Sequence, residues 1–106
     1  MEYVHVALTA DGQRLVVQSM PVLANGAINR LRFDVTVSEH WEGLELYVVI
    51  RGRGGCRACK VKQGSAVADA ASVSAAGFLE VALAGYAPGR RLTTQRVTMR
   101  LANSGL

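Results

Sequence analysis

Apolar and polar residues alternate along most of this chain. In the clearest run, every second residue from Leu31 to Val37 is apolar, and the residues between them are Arg32, Asp34 and Thr36. A period of two is typical of a β-strand with one buried and one solvated face. The pattern therefore predicts a strand between positions 29 and 37 whose apolar side faces a core.

The same alternation recurs from one end of the chain to the other. Comparable runs lie at 4–8, 15–17, 44–50, 59–62, 79–83 and 97–101, and Gly, Asn or Pro stands in every gap. Asp11-Gly12 separates two such runs, which is typical of a β-hairpin. Tyr47–Ile50 is apolar on both sides, which predicts a central strand. The Ala- and Ser-rich segment 66–76 is interpreted as a strand followed by a loop.

About seven short strands at this spacing predict an all-β, antiparallel sandwich or barrel. The chain has 106 residues, of which half are apolar, enough for one domain with its own core. We expect a single domain over 1–106, with 102–106 as a chain-end tail. No apolar run is long enough to span a membrane, and no secretory signal is visible, so we expect synthesis in the cytoplasm.

Charge is distributed unevenly between the two halves of the chain. Residues 1–50 carry three Arg and six acids, a net charge of −3, whereas residues 51–106 carry nine basic groups and two acids, a net charge of +7. Such a half could meet a nucleic acid, an anionic glycan or an acidic protein, or could be a solvated face. Ten of the twelve basic residues are Arg, which suits paired contacts at an interface. The candidate interface residues are Arg51, Arg53, Arg57, Lys60, Lys62, Arg90 and Arg91.

Cys56 and Cys59 form a C-x-x-C motif, which in other proteins holds a metal or acts as a redox pair. Zinc needs about four ligands, and only His5 and His40 could complete the set. No helix that would activate a thiol is predicted here. We favour two thiols without a functional role at a hairpin, with Cys56 in the turn and Cys59 packed inward, over a local disulfide or a metal site. No cofactor or metal is expected.

The sequence contains no arrangement of residues that predicts catalysis. Ser38, Glu39 and His40 are adjacent in sequence, but neighbours on a strand point to opposite faces, which does not favour a nucleophile paired with a base. We therefore expect no enzymatic activity. The tract 51–55 resembles RNA-contacting Arg-Gly-Gly segments, but a Gly-rich hairpin tip is the favoured interpretation.

Trp41, the only tryptophan, follows a well-alternating strand and precedes the most apolar one. We interpret it as a core residue at a corner of the sandwich, with its indole N–H bonded to a backbone carbonyl. Stacking on a carbohydrate is the alternative. Phe33 and Leu44 complete the predicted structural core.

This corner also carries a resemblance to a known family. The run from Phe33 to Arg51, with Ser-x-x-Trp-Glu-Gly-Leu inside it, resembles the N-terminal domain of phage baseplate upper and tail-fibre proteins. Gly77–Gly85 resembles the glycine-bounded strand of that family, and Arg90–Thr94 its Arg-Leu-Thr signature before the last strand. Asn25–Asn29 resembles the stretch that opens the third strand. Segment 66–76 lacks the proline that the family usually has there.

The resemblance extends over about 15–101, nearly the whole chain. It implies an immunoglobulin-like antiparallel β-sandwich of about seven to eight strands, in a virion structural protein that docks onto other virion proteins as a homo-oligomer. The expected location is the tail, baseplate or fibre attachment site, and a capsid decoration or head-fibre protein is the alternative. An alternative of another class is a glycan- or nucleic-acid-binding module that uses the basic hairpin 51–62. Neither a membrane partner nor a cofactor is implied.

Overall fold

The computed structural model describes residues 4–18, 23–24, 30–52, 55–69 and 78–102. These residues form ten β-strands and one 3₁₀ helix, Glu39–Trp41. The strands are β1 (Val4–Asp11), β2 (Arg14–Gln18), β3 (Leu23–Ala24), β4 (Arg30–Val37), β5 (Glu45–Gly52), β6 (Gly55–Lys60), β7 (Ser65–Asp69), β8 (Phe78–Ala87), β9 (Arg90–Thr93) and β10 (Val97–Ala102).

The strands form two sheets, which confirms the predicted all-β sandwich. The first sheet has the order β2-β1-β4-β7, and the second has the order β3-β10-β8-β5-β6, with β9 also paired to β8. Strand β5 lies between β8 and β6, which confirms the predicted central strand. Most pairs are antiparallel, but β1 runs parallel to β4, and β3 runs parallel to β10. The strands outnumber the expected seven to eight because β3 has only two residues and a break separates β9 from β10.

The core lies between the two sheets and is built from the alternating apolar positions of both. The largest fully buried side chains are Trp41, Phe33, Leu8, Leu31, Ile50, Leu79, Leu83, Met99, Val6 and Val48. The β1–β2 hairpin forms as predicted, although its turn is Gly12-Gln13, one residue later than the Asp-Gly pair suggests. Gly12 has φ of 56°, a left-handed conformation that glycine adopts without strain.

Several predicted features lie partly outside the described residues. In segment 66–76 the predicted strand is β7, whereas the loop expected after it falls within 70–77, outside the described range. The tip of the Gly-rich hairpin, 53–54, also lies outside it, but Gly52 pairs with Gly55 on either side. The stretch 25–29 and the tail beyond Ala102 are not among the described residues either.

A one-residue bulge separates β9 from β10. Thr93 pairs with Ala84 and Val97 pairs with Val81, so four steps on one strand match three on β8. Within the break, the Thr94 hydroxyl accepts a hydrogen bond from the backbone N–H of Leu83 at 3.0 Å. Because an extra residue reverses the inward and outward alternation, the bulge lets both β9 and β10 turn apolar residues to the core.

The bulge also ties the second sheet to the first. The Gln95 side chain accepts a hydrogen bond from the Leu15 N–H at 2.9 Å and donates one to the Leu15 carbonyl at 3.2 Å. The backbone N–H of Gln95 bonds to the Gln13 carbonyl. An amide side chain therefore occupies backbone groups of the edge strand β2, where another strand could otherwise pair.

Candidate functional site

The outer face of the second sheet carries a cluster of apolar side chains, which we call the tyrosine face. It consists of Tyr47, Val49, Ala58, Ala82, Ala84 and Tyr86, which neighbour one another on adjacent strands. The rings of Tyr47 and Tyr86 meet edge to face, with centroids 5.8 Å apart. Tyr86 is 42% exposed, although it is a large aromatic residue. Aromatic pairs in this geometry form rigid contact surfaces.

Charged side chains surround the tyrosine face. Arg51 and Arg96 line a shallow pocket beside Val49 and Ala82, together with Glu80. Both guanidinium groups are exposed, and neither forms a hydrogen bond or ion pair with a described residue. At the other end of the face, Arg91 lies opposite Tyr86 on β9, and it is also exposed and unpaired among the described residues.

Lys60 and Glu45 form an ion pair on the same face, beside Tyr47. The hydrogen bond to Glu45, assisted by the charge of that carboxylate, raises the pKa of Lys60 above its ordinary value. Both side chains are about half exposed, so the pair contributes little to stability. The pair places one positive and one negative charge at the margin of the tyrosine face.

The outer face of the first sheet differs in character. Asp34 lies 3.6 Å from the His5 ring and 3.8 Å from Arg32, whose Nε donates a hydrogen bond to the Ser65 hydroxyl. Its exposed apolar residues include Val16 and Val67, which stand on the two opposite edge strands. His5, Arg32 and Asp34 therefore form a paired group on this face. On the second sheet, arginines without a partner among the described residues lie around an apolar centre.

The predicted interface cations do not form one continuous surface. Arg51 and Lys60 lie on the outer face of the second sheet, whereas Arg57 pairs with the inward-facing Ile50 and therefore points to the opposite side of β6. Lys62 lies in the turn after β6. Arg53 lies outside the described residues. The basic hairpin 51–62 thus divides its charges between two faces.

The side chains of Arg90 and Arg91 also point to different faces of the second sheet. The Arg90 guanidinium donates hydrogen bonds to the carbonyls of His40 at 3.2 Å and Glu42 at 3.3 Å, so it fastens the β8–β9 turn to the 3₁₀ helix. Arg91 points to the tyrosine face. Adjacent residues on a strand have opposite directions, so only one of the two can serve this face.

The two cysteines lie in strand β6, and both are free thiols. Cys56 pairs with Arg51 and is exposed, so its predicted position in the turn is wrong: the hairpin closes earlier, at Gly52 and Gly55. Cys59 is half-buried, and that burial raises the pKa of its thiol, with the positive charge of Arg57 acting in the opposite direction. In the described part of the chain, no cluster of three or more His, Cys, Asp or Glu side chains could hold a metal ion.

Ser38 and His40 come together, although no pairing of a nucleophile with a base was predicted at this point of the chain. The Ser38 Oγ lies 3.0 Å from the His40 Nδ1, because the chain leaves β4 and turns into the 3₁₀ helix at this point. The Asp11 carboxylate is 3.8 Å from the same ring nitrogen. In a catalytic triad the acid and the nucleophile contact different ring nitrogens. Here Ser38 also accepts a hydrogen bond from the Gly12 N–H, which makes the group a link between two turns.

Trp41 stabilises the same corner, between the 3₁₀ helix and the β1–β2 turn, from the core side. It is 1% exposed, and its indole Nε1 donates a hydrogen bond of 2.9 Å to the Gly12 carbonyl. Phe33 is fully buried, and Leu44 is partly buried and packs against the core. A Cβ added to Gly85 would lie 3.0 Å from both the Trp41 ring and the Leu44 side chain, so the absence of a side chain on β8 makes room for the indole.

Neither the tyrosine face nor Arg96 was predicted from the sequence. The signal was present: Tyr47 and Tyr86 occupy the positions that alternate with buried residues, where a polar side chain is the usual choice. Large aromatic residues at such positions predict an exposed apolar patch on the sheet.

No protein-family model, curated protein or solved structure matches the chain. The resemblance to phage baseplate upper and tail-fibre proteins therefore stays a prediction. In the described residues, no helix is long and apolar enough to cross a membrane.

Proposed function

We propose that this chain is a structural protein of a bacteriophage particle, a non-enzymatic module of the tail, baseplate or fibre attachment site that docks onto other virion proteins. The resemblance of Phe33–Arg51 and of the later glycine- and arginine-containing motifs supports the virion assignment. A rigid sandwich with a contact surface on one sheet is compatible with that role.

The tyrosine face is the observation that carries the docking proposal. Protein interfaces are enriched in Tyr and Arg, and their energy is concentrated in a few such residues. Here Tyr47 and Tyr86 supply a rigid aromatic centre, and Arg51, Arg91 and Arg96 stand around it. Since these guanidinium groups have no partner among the described residues, they are available to carboxylates of another protein.

The positive margin also indicates the kind of partner. A protein surface with exposed carboxylates around an apolar patch would complement the tyrosine face and fix its orientation. In the assembled particle, copies of the chain occupy equivalent positions on such a partner and form a symmetric homo-oligomer.

Phage particles purified from the encoding strain test the assignment. An antibody against the chain should detect it in the virion fraction of a density gradient, and gold labelling should mark the tail or baseplate. Label on the head would favour the decoration protein instead. Absence of the chain from purified particles would refute the virion assignment.

A matched pair of variants tests the docking surface. Tyr86→Glu places a charge on the tyrosine face, whereas Val16→Glu places one on the first sheet at a residue of similar exposure, 40% against 42%. We expect Tyr86→Glu to reduce incorporation into particles by about tenfold or more, as loss of an interface hot spot does, and Val16→Glu to be incorporated like the natural chain. Equal incorporation of both variants would contradict the proposed surface.

A further inference from the structure

Two open strand edges meet along one side of the sandwich. Strand β6 ends the second sheet and β7 ends the first, and the two are consecutive along the chain. They are joined by a tight turn in which Lys62 and Ser65 exchange backbone hydrogen bonds of 2.8 and 3.0 Å. Beyond this bridge the strands separate into different sheets, and no pairing between them is recorded within the described residues. We call the groove between the outer edges of β6 (Gly55–Lys60) and β7 (Ser65–Asp69) the seam.

The backbone groups that face the seam follow from the hydrogen-bond alternation of antiparallel strands. The Val61 N–H bonds to the Leu46 carbonyl, so on β6 every second residue from Val61 backwards is bonded to β5. The N–H and C=O groups of the residues between them, Ala58 and Lys60 among them, therefore point away from β5 and towards the seam. Among the described residues, no partner for these groups is recorded.

On β7 the same reasoning applies. The Val35 N–H bonds to the Gly64 carbonyl, and Ser65 already bonds to Lys62 across the turn. Val67 is the next residue whose backbone groups point away from β4. Its side chain is 52% exposed. Both β6 and β7 therefore present unpaired backbone donors and acceptors to the seam.

The side chains around the seam are apolar at the base and basic at the margins. A groove of about 550 Å³ lies here, with Cys59 and Ala66 inside it and Arg32, Lys60 and Lys62 around it. Arg32 and Lys60 already form ion pairs with Asp34 and Glu45, whereas the Lys62 side chain is exposed and has no partner among the described residues. Elsewhere on the sandwich, an edge is blocked: the Gln95 side chain occupies the Leu15 backbone groups on β2. No such side chain covers the outer edges of β6 and β7 among the described residues.

We propose that the seam binds an extended, acidic segment of a partner protein, which adds to β6 as a further strand. Backbone hydrogen bonds to the outward groups of Ala58 and Lys60 supply the pairing, as in other cases of β-strand addition. Carboxylates of the segment contact Lys62, and its alternate apolar side chains cover Cys59. Although Ala58 also belongs to the tyrosine face, the segment pairs with its backbone groups, which point away from β5 in the plane of the sheet. Binding at the seam and docking through the outward side chains can therefore be tested independently.

An octapeptide of alternating Glu and Val residues, with blocked termini, is the probe, and the same peptide with Lys in place of Glu is its control. We expect the acidic peptide to slow hydrogen exchange of the Ala58 and Lys60 amides by about tenfold or more at saturation, because pairing protects an amide from water. The basic peptide should change neither. Absence of protection on β6, or equal protection by both peptides, would overturn the proposal.

Variants at one residue separate the backbone contribution from the side chain. Ala58→Pro removes an N–H that faces the seam and leaves the β5 ladder intact, whereas Ala58→Ser retains it. We expect Ala58→Pro to weaken binding by about tenfold and Ala58→Ser by less than about twofold. Lys62→Glu should weaken binding several-fold through charge alone. If thermal unfolding shows that Ala58→Pro does not fold, the exchange data and Lys62→Glu decide the question, and unchanged binding by Lys62→Glu contradicts the acidic partner.

Discussion

The contact of Trp41 and Leu44 with the bare backbone of Gly85 makes a quantitative prediction about packing. A Cβ at position 85 would lie 3.0 Å from Trp41 Cε3, 3.0 Å from Leu44 Cδ1 and 3.1 Å from Leu44 Cβ. Normal carbon contacts are about 3.5–4.0 Å. Trp41 can yield little, because its indole N–H is held by the Gly12 carbonyl and its ring is buried. The methyl group of Gly85→Ala must therefore displace the ring or the strand.

Forcing an extra carbon into a closely packed core costs about 1–3 kcal/mol. For a domain of this size we expect Gly85→Ala to lower the free energy of unfolding by that amount and the melting temperature by about 5–15 °C. Urea unfolding, followed by far-ultraviolet circular dichroism and by Trp41 fluorescence, measures both the stability and the environment of the ring.

Gly89→Asn is the matched control, since Gly89 has φ of 75° and no atom within 4 Å of an added Cβ. Asn tolerates this conformation, so the change should stay within about 0.5 kcal/mol. If Gly85→Ala were as stable as the natural chain, with unchanged Trp41 fluorescence, the argument that glycine is required for the indole to pack would be wrong.

Three further outcomes are expected. Gln95→Ala removes two hydrogen bonds to Leu15 and should lower the free energy of unfolding by about 1–3 kcal/mol in urea titrations; a change below about 0.3 kcal/mol would show that water replaces the amide without loss. Trp41→Phe leaves the Gly12 carbonyl without its donor and should cost about 1–3 kcal/mol by circular dichroism, and a neutral result would refute a role for that bond. Burial raises the pKa of the Cys59 thiol, so in Cys56→Ala it should react with iodoacetamide at pH 8 more slowly than the thiol of Cys56 does in Cys59→Ala. Equal reaction rates of the two thiols would contradict the assigned burial. Since the folded protein favours the neutral thiol, the contribution of Cys59 to the free energy of unfolding is complete below the ordinary thiol pKa. That contribution is lost as the pH rises through the raised pKa.

The two-layered all-β fold was predictable because alternation is a local property of the chain. The positions Leu31–Val37 and Val97–Met99 are sufficient to assign strands and their inner faces. Pairing between distant strands is not local, and nothing in β1 indicates that it lies parallel to β4. The bulge did leave a signal: Leu92 and Val97 both turn towards the core, although an odd number of steps separates them.

The candidate site was less predictable than the fold. Charge counts identified Arg51 and Arg91 but also residues that point elsewhere, because composition carries no direction. No pairing of Ser38 with His40 was predicted from an extended chain, and a single 3₁₀ turn brings them to 3.0 Å. The seam depends on where two strands separate, which only the three-dimensional arrangement of both sheets reveals.

The bond between Gln95 and Leu15 also affects the order in which the molecule can form during synthesis. Its two residues stand 80 positions apart. The β1–β2 hairpin is synthesised first, and the amide that covers its outer strand follows only after about 80 further residues. Until then the Leu15 backbone can pair with another nascent chain. A protein shortened before position 95 would retain the first hairpin with this edge uncovered, and we expect it to aggregate.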